Sequence, residues 1–428
     1  MGIAKPVNSK SNTKEGGTVD KLFVGIEVGS RDNAAYIMMP DGTKHSSFPV
    51  QNNLGGARTT SKRVVAALEE TGVAAVAIGI EATSVYGENL IYFLREDGAL
   101  ARFDRKLYVL NPRQVRKFKE VHPDLPKNDP VDAFVIADNL RFGRIANPVW
   151  MGDYRYSSLQ KLTRARYYAV QDLTREKQRF ANQLFMKCSG LAQDNPFSDS
   201  FGATAMALYD EFESPDDIVN MDIGELAAFV AQKGKNHFQN PGGVAKAVQA
   251  AARDSYRLPK TVNDSINQII AISASSIRAM QSQVKELDKA IKAQFANIPN
   301  TLTSVPGFGP VFSAGIIAEV GDVNRFVNGQ SGLAKYAGLM WKENKSGMFE
   351  GQNTRMIKSG NRFLKYYLCE AAMSLVRCDT EYKRFYDLKY KEVNKYQHKR
   401  ALALTARKLV RLVFRLLKDN RLYIPAKL

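Results

Sequence analysis

The first 150 residues alternate short apolar runs with amphipathic stretches. Three strands are predicted over 21–28, 34–40 and 44–50, with a turn at Pro40-Asp41-Gly42. The pattern then predicts a helix over 59–70 ending at Gly72, a buried strand over 74–82, a helix over 88–96, a strand over 106–112 and a helix from about Pro130. Three hairpin-linked strands followed by alternating helices and strands predict an α/β domain, a mixed sheet covered by helices, over 21–146.

The remainder of the chain has a helical pattern. Residues 150–300 form a predicted helical region in which apolar residues keep three- and four-residue spacing from Ile266 to Ile291. This spacing indicates a coiled coil, antiparallel or intermolecular, and it is also that of one helix in a bundle. A loop-rich insertion is expected at 190–260, a further unit at 301–378, a basic helical tail at 379–428 and a disordered lead-in at 1–20.

Charge narrows the possible partners. The 428 residues carry a net charge of +18, which points to nucleic acid or to an anionic membrane. No apolar run approaches the roughly 20 residues of a spanning helix, which disfavours the membrane. Residues 361–428 hold 17 Lys and Arg against 6 Asp and Glu, so a phosphate-binding face is expected there. Three scattered cysteines disfavour disulfides and zinc, so we expect a cytoplasmic protein that works on the nucleoid.

Four acidic residues occupy unusual positions in the first domain. Glu27 lies inside the first apolar strand and Glu81 ends a buried one, while Asp129 and Asp132 begin a helix. A buried carboxylate is costly unless it is paired or binds a metal. Oxygen ligands from two strands and one helix suit Mg²⁺ or Mn²⁺, and a metal pair stabilises the attacking and leaving oxygens of a phosphodiester.

Each acidic residue also has a structural interpretation. Asp129 before Pro130 has the pattern of an N-cap with proline at N1, and Asp132 then falls at N3 as in a capping box. Glu27 would face solvent if its strand lay at the edge of the sheet. The sequence leaves both interpretations open. Lys127, just before the aspartates, is a predicted nucleic-acid contact.

The unit over 301–378 contains Pro-Gly-Phe-Gly-Pro ahead of a helical pattern. Gly307 and Gly309 would let backbone N–H groups approach a phosphate at the positive end of that helix, as in a helix-hairpin-helix. The alternative is a plain glycine turn between helices.

A polar loop in the same unit contains Ser346 between Lys345 and Gly347. Cationic neighbours would stabilise a developing alkoxide, which makes Ser346 a candidate nucleophile, although from the chemistry alone a turn serine is the simpler interpretation. Ser359 is predicted to cap the next helix. The basic side chains around that turn are predicted phosphate contacts: Arg355, Lys358 and Arg362.

Eight blocks, in order and with matching spacing, resemble the DEDD-type, bridge-RNA-guided insertion-sequence transposases, which include the Piv-type DNA invertases. The blocks are VGIEVGS (24–30), GIEATSVYG (79–87), LNPRQVRKF (110–118), KNDPVDAFVIAD (127–138), VPGFGP (305–310), YAGL (336–339), SG (346–347) and KSGNRFLKYYL (358–368).

The resemblance implies a RuvC-like, RNase H-fold domain in which Glu27, Glu81, Asp129 and Asp132 bind Mg²⁺. It implies a coiled-coil linker used in oligomerisation, as a dimer or as a tetramer on DNA, and a nucleophilic Ser346 that forms a phosphoserine link to DNA. It implies that serine and acidic residues from different protomers form a composite site, and that a noncoding RNA pairs with donor and target DNA. The family usually has Asp where this chain has Glu27.

The sequence therefore predicts a metal-dependent DNA transposase or site-specific recombinase with a serine nucleophile. One alternative is a RuvC-like endonuclease in which water attacks and no covalent intermediate forms. Another is an inactive nucleic-acid-binding protein, which the substitution at Glu27 supports. Transposase and invertase differ in their nucleic-acid partners, which this chain does not specify.

Overall fold

A computed structural model describes residues 20–82, 85–122, 125–143, 148–149, 153–342, 345–346, 349–350 and 355–425, with backbone alone at 345–346 and 349–350. The predicted lead-in therefore lies almost wholly outside the described residues. The chain divides into two compact units, one up to Met151 and one from Gly152.

The first unit is built on a five-stranded sheet. Its strands are β1 (Lys21–Val28), β2 (Asp32–Met38), β3 (Lys44–Gln51), β4 (Ala75–Glu81) and β5 (Asp104–Leu110). Their order is β3-β2-β1-β4-β5, in which β3 pairs with β2 and β2 with β1 antiparallel, while β1 pairs with β4 and β4 with β5 in parallel. The mixed sheet expected from the apolar pattern is confirmed, and β1 is an interior strand.

Helices cover both faces of this sheet. They are α1 (Leu54–Thr71), α2 (Glu88–Glu96), α3 (Pro112–Lys119) and α4 (Asp129–Phe142). On one face, α1 and α2 pack Val64, Leu68 and Leu94 against the alternate side chains of β1 that include Leu22 and Ile26. On the other face, α4 is packed through its apolar centre. The sequence pattern did not predict α3.

The contact between α4 and the sheet depends on two glycines. Gly25 of β1 and Gly79 of β4 are direct neighbours in the parallel register. A Cβ atom at Gly25 would lie 2.0 Å from the carbonyl oxygen of Ala133, and one at Gly79 would lie 2.8 Å from a methyl of Leu140. Because neither glycine has a side chain, α4 lies directly on the strand backbones.

The second unit is helical apart from a short hairpin. Its longer elements are α5 (Tyr154–Lys187), α6 (Ser189–Gln193), α7 (Ala203–Glu211), α8 (Pro215–Asn220), α9 (Ile223–Lys233), α10 (Pro241–Arg253), α11 (Lys260–Phe295), α12 (Pro310–Val320), α13 (Gly329–Tyr336), β6 (Lys345–Ser346), β7 (Phe349–Glu350), α14 (Arg362–Cys378), α15 (Thr380–Lys391) and α16 (Gln397–Asp419).

The two longest helices, α5 and α11, lie side by side and antiparallel. Arg166 pairs with Asp288, and further along Glu176 accepts a hydrogen bond from Ser273 at 2.6 Å. The pair joins two apolar cores. One core surrounds α6–α10 and contains Phe180, and the other contains α12–α16. The prediction that 190–260 is loop-rich is wrong, because α6–α10 occupy most of it and have their own core. The coiled coil remains a prediction.

The basic C-terminal segment is helical, as expected. The apolar face of α16 is buried, with Leu409, Val410 and Val413 inside the core formed by α12–α14. Its charged residues therefore lie on the opposite side of a fixed helix. None of the helices within the described residues combines the length and apolarity that crossing a bilayer requires.

We expect Gly25→Ala to destabilise the first unit by about 3 kcal/mol, because the added methyl would lie 2.0 Å from the carbonyl oxygen of Ala133 in the helix backbone. Chemical denaturation followed by circular dichroism measures the change. Gly98→Ala is the control, since a Cβ there has no heavy atom within 4 Å. Equal stability of the two variants would contradict the close approach of α4.

Candidate active site and nucleic-acid interface

Glu27 and Glu81 lie at the C-terminal ends of β1 and β4 and on the same face of the sheet. Each follows one member of the register pair Ile26–Ile80. Side chains alternate along a strand, so each glutamate also shares its face with the glycine two residues earlier, Gly25 or Gly79. That is the face on which α4 lies. The edge-strand interpretation of Glu27 is wrong, because β1 is paired on both sides.

The first turn of α4 adds two carboxyl groups. The N-cap is Asn128, whose side-chain oxygen accepts from the backbone N–H of Val131 at 3.0 Å. The interpretation of Asp129 as N-cap and of Asp132 as its capping-box partner is therefore wrong. Both aspartates are in the first helical turn, Asp129 exposed and Asp132 partly buried. Asn128 leaves both carboxylates available for another role.

Glu27 is electrostatically coupled to the other three acidic groups. The pKa of Glu27 is raised to about 7, mainly by burial and then by the charges of Glu81, Asp132 and Asp129, with Lys119 opposing them. Burial and the charge of Asp132 also raise the pKa of Glu81. The Oε2 atom of Glu27 is buried without a hydrogen-bond partner among the described residues.

A lysine that the sequence analysis did not single out completes the site. The Nζ of Lys119 lies 2.6 Å from Oδ1 of Asp132, and both side chains are about three-quarters buried. Lys119 is the last residue of α3, which Asn111 caps through the N–H of Arg113. The Asn111-Pro112 pair is a recognisable helix start, so a signal for α3 was present in the sequence.

The residues present fit a hard divalent cation by chemistry. They supply carboxylate oxygens from two strands and one helix, one of them buried and unpartnered, in a site with excess negative charge. Among the described residues no three acidic, His or Cys side chains already stand close enough to hold a metal ion. Side-chain rotation would have to bring the carboxylates together.

The candidate nucleophile belongs to the second unit. Ser346 is in β6, opposite Phe349 of β7, in a two-stranded hairpin. The side chains of Lys345 and Ser346 lie outside the described part of the structure, and so does Gly347. The base of this loop is held by a hydrogen bond from the N–H of Lys342 to the carbonyl of Arg355 at 2.9 Å.

The two glycines before α12 differ in their surroundings. Gly307 has a positive φ of 78°, and Ser374 of α14 donates to its carbonyl at 2.7 Å, so packing within the protein accounts for this glycine. Gly309 is the N-cap of α12, with no side-chain cap and no heavy atom within 4 Å of where its Cβ would be. The helix-hairpin-helix remains a prediction, with Gly309 the better placed for a phosphate.

The predicted basic contacts lie at the surface. Lys127, Arg355, Lys358 and Arg362 are exposed. The guanidinium of Arg362 lies over the rings of Phe363 and Tyr168, at 4.9 and 5.3 Å from their centres, and hydrogen-bonds the Tyr168 hydroxyl.

A buried network fixes the turn that carries Lys358 and Arg362. Glu319 of α12 is fully buried and accepts two hydrogen bonds from Arg164, at 2.7 and 2.9 Å. Asn361 also donates to Glu319, at 2.6 Å, while its oxygen caps α14. The N-cap is therefore Asn361, and the prediction that Ser359 caps this helix is wrong. Sequence periodicity did not reveal Glu319.

The exposed side of α16 carries unbalanced charge. Lys408 pairs with Glu381, and Arg400 with Glu392. Burial and the nearby Arg411 lower the pKa of Arg407, and Nη1 of Arg407 is buried without a partner among the described residues. Arg407 and Arg411 are like charges four residues apart, a spacing that destabilises a helix. These two arginines therefore favour a bound anion beside them.

Two family models match the chain. One, described as a transposase model of the DEDD and IS110 type, matches residues 24–186, and the other, the transposase IS116/IS110/IS902 family, matches residues 300–387. Both units match transposases. These matches support a transposase or DNA recombinase as the general class, and the first one contains all four acidic residues of the site.

Curated relatives match across most of the chain. An uncharacterised 44.8 kDa protein of insertion element IS116 from Streptomyces clavuligerus is 25% identical over 95% of this chain and 97% of its own length. An uncharacterised 42 kDa protein of IS900 from Mycobacterium paratuberculosis is 26% identical over 95% and 98%. A putative transposase of the IS117 mini-circle from Streptomyces coelicolor is 25% identical over 62% and 65%.

Among solved structures, T. thermophilus RuvC in complex with a Holliday junction substrate overlaps 30% of this chain and 99% of its own length. The identity is 15% and the TM-score is 0.23, and we base no conclusion on this likeness.

We expect Glu27→Gln to stabilise the protein at pH 8 by on the order of 1 kcal/mol, after allowance for solvent screening of a half-buried group. The folded pKa of Glu27, about 7, lies above its usual value of 4.5. Its contribution to stability is therefore present below about pH 4.5 and is lost as the pH rises through 7. Gln does not ionise and escapes this loss.

Thermal unfolding at pH 5 and pH 8 measures the difference, with the exposed Glu120→Gln as control. The increase in melting temperature caused by Glu27→Gln should be small at pH 5 and larger at pH 8. A gain that is equal at both pH values would contradict the raised pKa. Mg²⁺ should raise the melting temperature of the wild type more than that of Glu27→Gln, because the variant lacks one charged ligand.

Proposed function

We propose that this protein is a metal-dependent DNA transposase that cuts and rejoins DNA with Glu27, Glu81, Asp129, Asp132 and Ser346. The observation that carries the proposal is the placement of the four acidic residues at one end of the sheet, where burial first and the neighbouring carboxylates second raise the pKa of Glu27 to about 7. The match of both units to transposase families supports it. The mixed sheet with helices on both faces is compatible with the RNase H-like domain that the sequence resemblance implies.

The four carboxylates would hold Mg²⁺ or Mn²⁺, which when bound neutralises developing charge on phosphodiester oxygens. The chain's own groups do the rest of the work. Glu27 and Glu81 set the position of the site through the rigid sheet, and Asp129 and Asp132 approach from α4. Lys119 orients Asp132 and balances part of the negative charge.

Ser346 is the proposed nucleophile. Its Oγ would bond to phosphorus as the hydroxyl proton leaves, and the bond from phosphorus to a deoxyribose oxygen would break, with that oxygen taking up a proton. The link conserves one phosphodiester bond, so a DNA hydroxyl can reverse it and join a new strand. No oxidant or reductant takes part.

Target choice would come from nucleic acid. We propose a noncoding guide RNA that pairs with donor and target DNA, with the protein holding the backbones through Arg355, Lys358, Arg362 and the exposed side of α16. The excess of 17 basic over 6 acidic residues in 361–428 supports such backbone binding. Assembly as a homo-oligomer on DNA is part of this proposal.

Ser346→Ala should abolish strand exchange and any protein–DNA adduct that survives denaturation, while DNA binding stays within about twofold. The reason is that alanine removes the only attacking oxygen of the proposed step. Adducts are measured on denaturing gels with labelled DNA, and binding by a mobility shift. The exposed Ser331→Ala, in the same unit, is the control.

Two other outcomes would redirect the mechanism. An adduct that persists in Ser346→Ala would remove this serine from the reaction. Cleavage without any adduct in the wild type would favour the endonuclease in which water attacks. Asp132→Asn should lose both cleavage and adduct, and full activity in that variant would exclude the carboxylate site.

Arg407→Ala with Arg411→Ala should weaken binding to DNA of any sequence and lower the slope of log affinity against log salt by roughly 1 for each phosphate that the protein no longer neutralises. The matched control is Lys408→Ala. Lys408 is on the same helix as the two arginines, but its charge is already paired with Glu381 of α15. Fluorescence anisotropy at several salt concentrations measures the slopes. An unchanged slope in the double variant would exclude this face of α16 from binding.

A further inference from the structure

A cavity of about 430 Å³ opens in the first unit at the end of the sheet where Glu27 and Glu81 lie, on the side of α1 and α2. That volume falls within the range of small-ligand sites. Residues from two loops, one turn and two helices line it: Ser30, Asn52, Asn53, Leu54, Ala57, Val85, Tyr86, Asn89, Leu90 and Phe93. Nothing in the proposed cleavage chemistry uses them.

The rim of this cavity is held in place by one amide. The Nδ2 of Asn52 donates to the carbonyl of Gly29 at 2.8 Å and to that of Tyr86 at 3.2 Å. It thus ties the loop after β1 to the turn before α2. Gly87 then packs on Ile80 of β4, where a Cβ would come within 3.0 Å. The opening is therefore built on the same strands as the carboxylates.

The lining is half apolar and without charge. None of the lining side chains is ionisable at neutral pH, although the whole chain carries +18. Such a lining disfavours a phosphate or another ion. Tyr86 is 44% exposed beside Phe93, and Asn89 has no hydrogen-bond partner among the described residues. Aromatic faces with a free amide suit a flat, neutral, heteroaromatic ring with hydrogen-bonding edges.

We propose that this cavity holds an unstacked nucleobase of the DNA strand that lies at the carboxylates. The inference rests on the proposed function, since it supplies the strand. Ser30 is three residues from Glu27, so the two Cα atoms lie at most about 11 Å apart. The cavity and the carboxylates are thus at the same end of the sheet, on opposite faces of it. Phosphates follow one another every ~3.4 Å along a stacked strand, which places the bound base within a few nucleotides of the cleaved bond. Holding it there fixes the position of that bond.

The test compares two single strands with the same number of phosphates. One is a 20-residue oligothymidylate, and the other is a 20-residue backbone of abasic tetrahydrofuran units. Their affinities for the full-length protein are measured in EDTA, so that no cleavage occurs. Because backbone charge is equal in the two probes, the ratio of affinities reports binding of bases alone.

The wild type should prefer the oligothymidylate. Tyr86→Ala and Asn89→Ala should each reduce that preference, Tyr86→Ala by roughly 5- to 150-fold, which is the range for loss of one base–aromatic stack. The control is Phe142→Ala, because Phe142 is an aromatic residue of the same unit, 62% exposed and outside the cavity. All three side chains are exposed, so the variants should keep the melting temperature of the wild type.

A preference in Tyr86→Ala that equals that of the wild type would overturn the proposal, and so would an equal loss in Phe142→Ala. Crosslinking gives an independent measurement. Oligothymidylate containing 5-iodouracil should form its adduct on the peptide spanning 85–93, and adducts confined to other peptides would also overturn it. Failure of the cleavage mechanism would appear separately, as full activity in Asp132→Asn with base preference intact.

Discussion

The arrangement of the first unit depends on the direct contact between α4 and the backbones of β1 and β4. Gly25 and Gly79 stand side by side in the sheet, and the carbonyl of Ala133 occupies the space that a Cβ at Gly25 would need. A helix held this close cannot tilt or slide without clashing. Its first turn is therefore fixed beside the strand ends that carry Glu27 and Glu81, and packing brings the four acidic residues to the same end of the sheet.

That convergence is unfavourable for the folded chain. Burial and three neighbouring carboxylates disfavour ionised Glu27, and Lys119 supplies only one compensating charge. A fold selected for stability alone would place an apolar residue at this interior strand position. The unrelieved charge is instead what a site for divalent cations needs, and the apolar cores on both faces of the sheet provide the stability that the site costs.

The strands of the first unit could be predicted because each is a short, strongly patterned run bounded by turn residues. Details that depend on backbone geometry could not. Asn128 and Asp129 are both suitable caps, and only the helix start shows that Asn128 has that role. The helix α3 is eight residues long and mostly charged, so its pattern was too weak to predict, and with it Lys119 was missed.

In the second unit, periodicity located the helices but not the polar contacts between them. Glu319 lies in an apolar run of α12, and its partners Arg164 and Asn361 are 155 and 42 residues away in the sequence. The sequence pattern therefore could not show which groups neutralise its charge. Removing one partner from such a buried group leaves an uncompensated charge, whereas the intact network holds the start of α14 firmly. The basic turn ahead of α14 is thus anchored to α5 and α12, as a surface that binds a DNA backbone in one register requires. The carboxylates of the first unit have a comparable support, because the two strands that carry Glu27 and Glu81 pair directly with each other beneath α4.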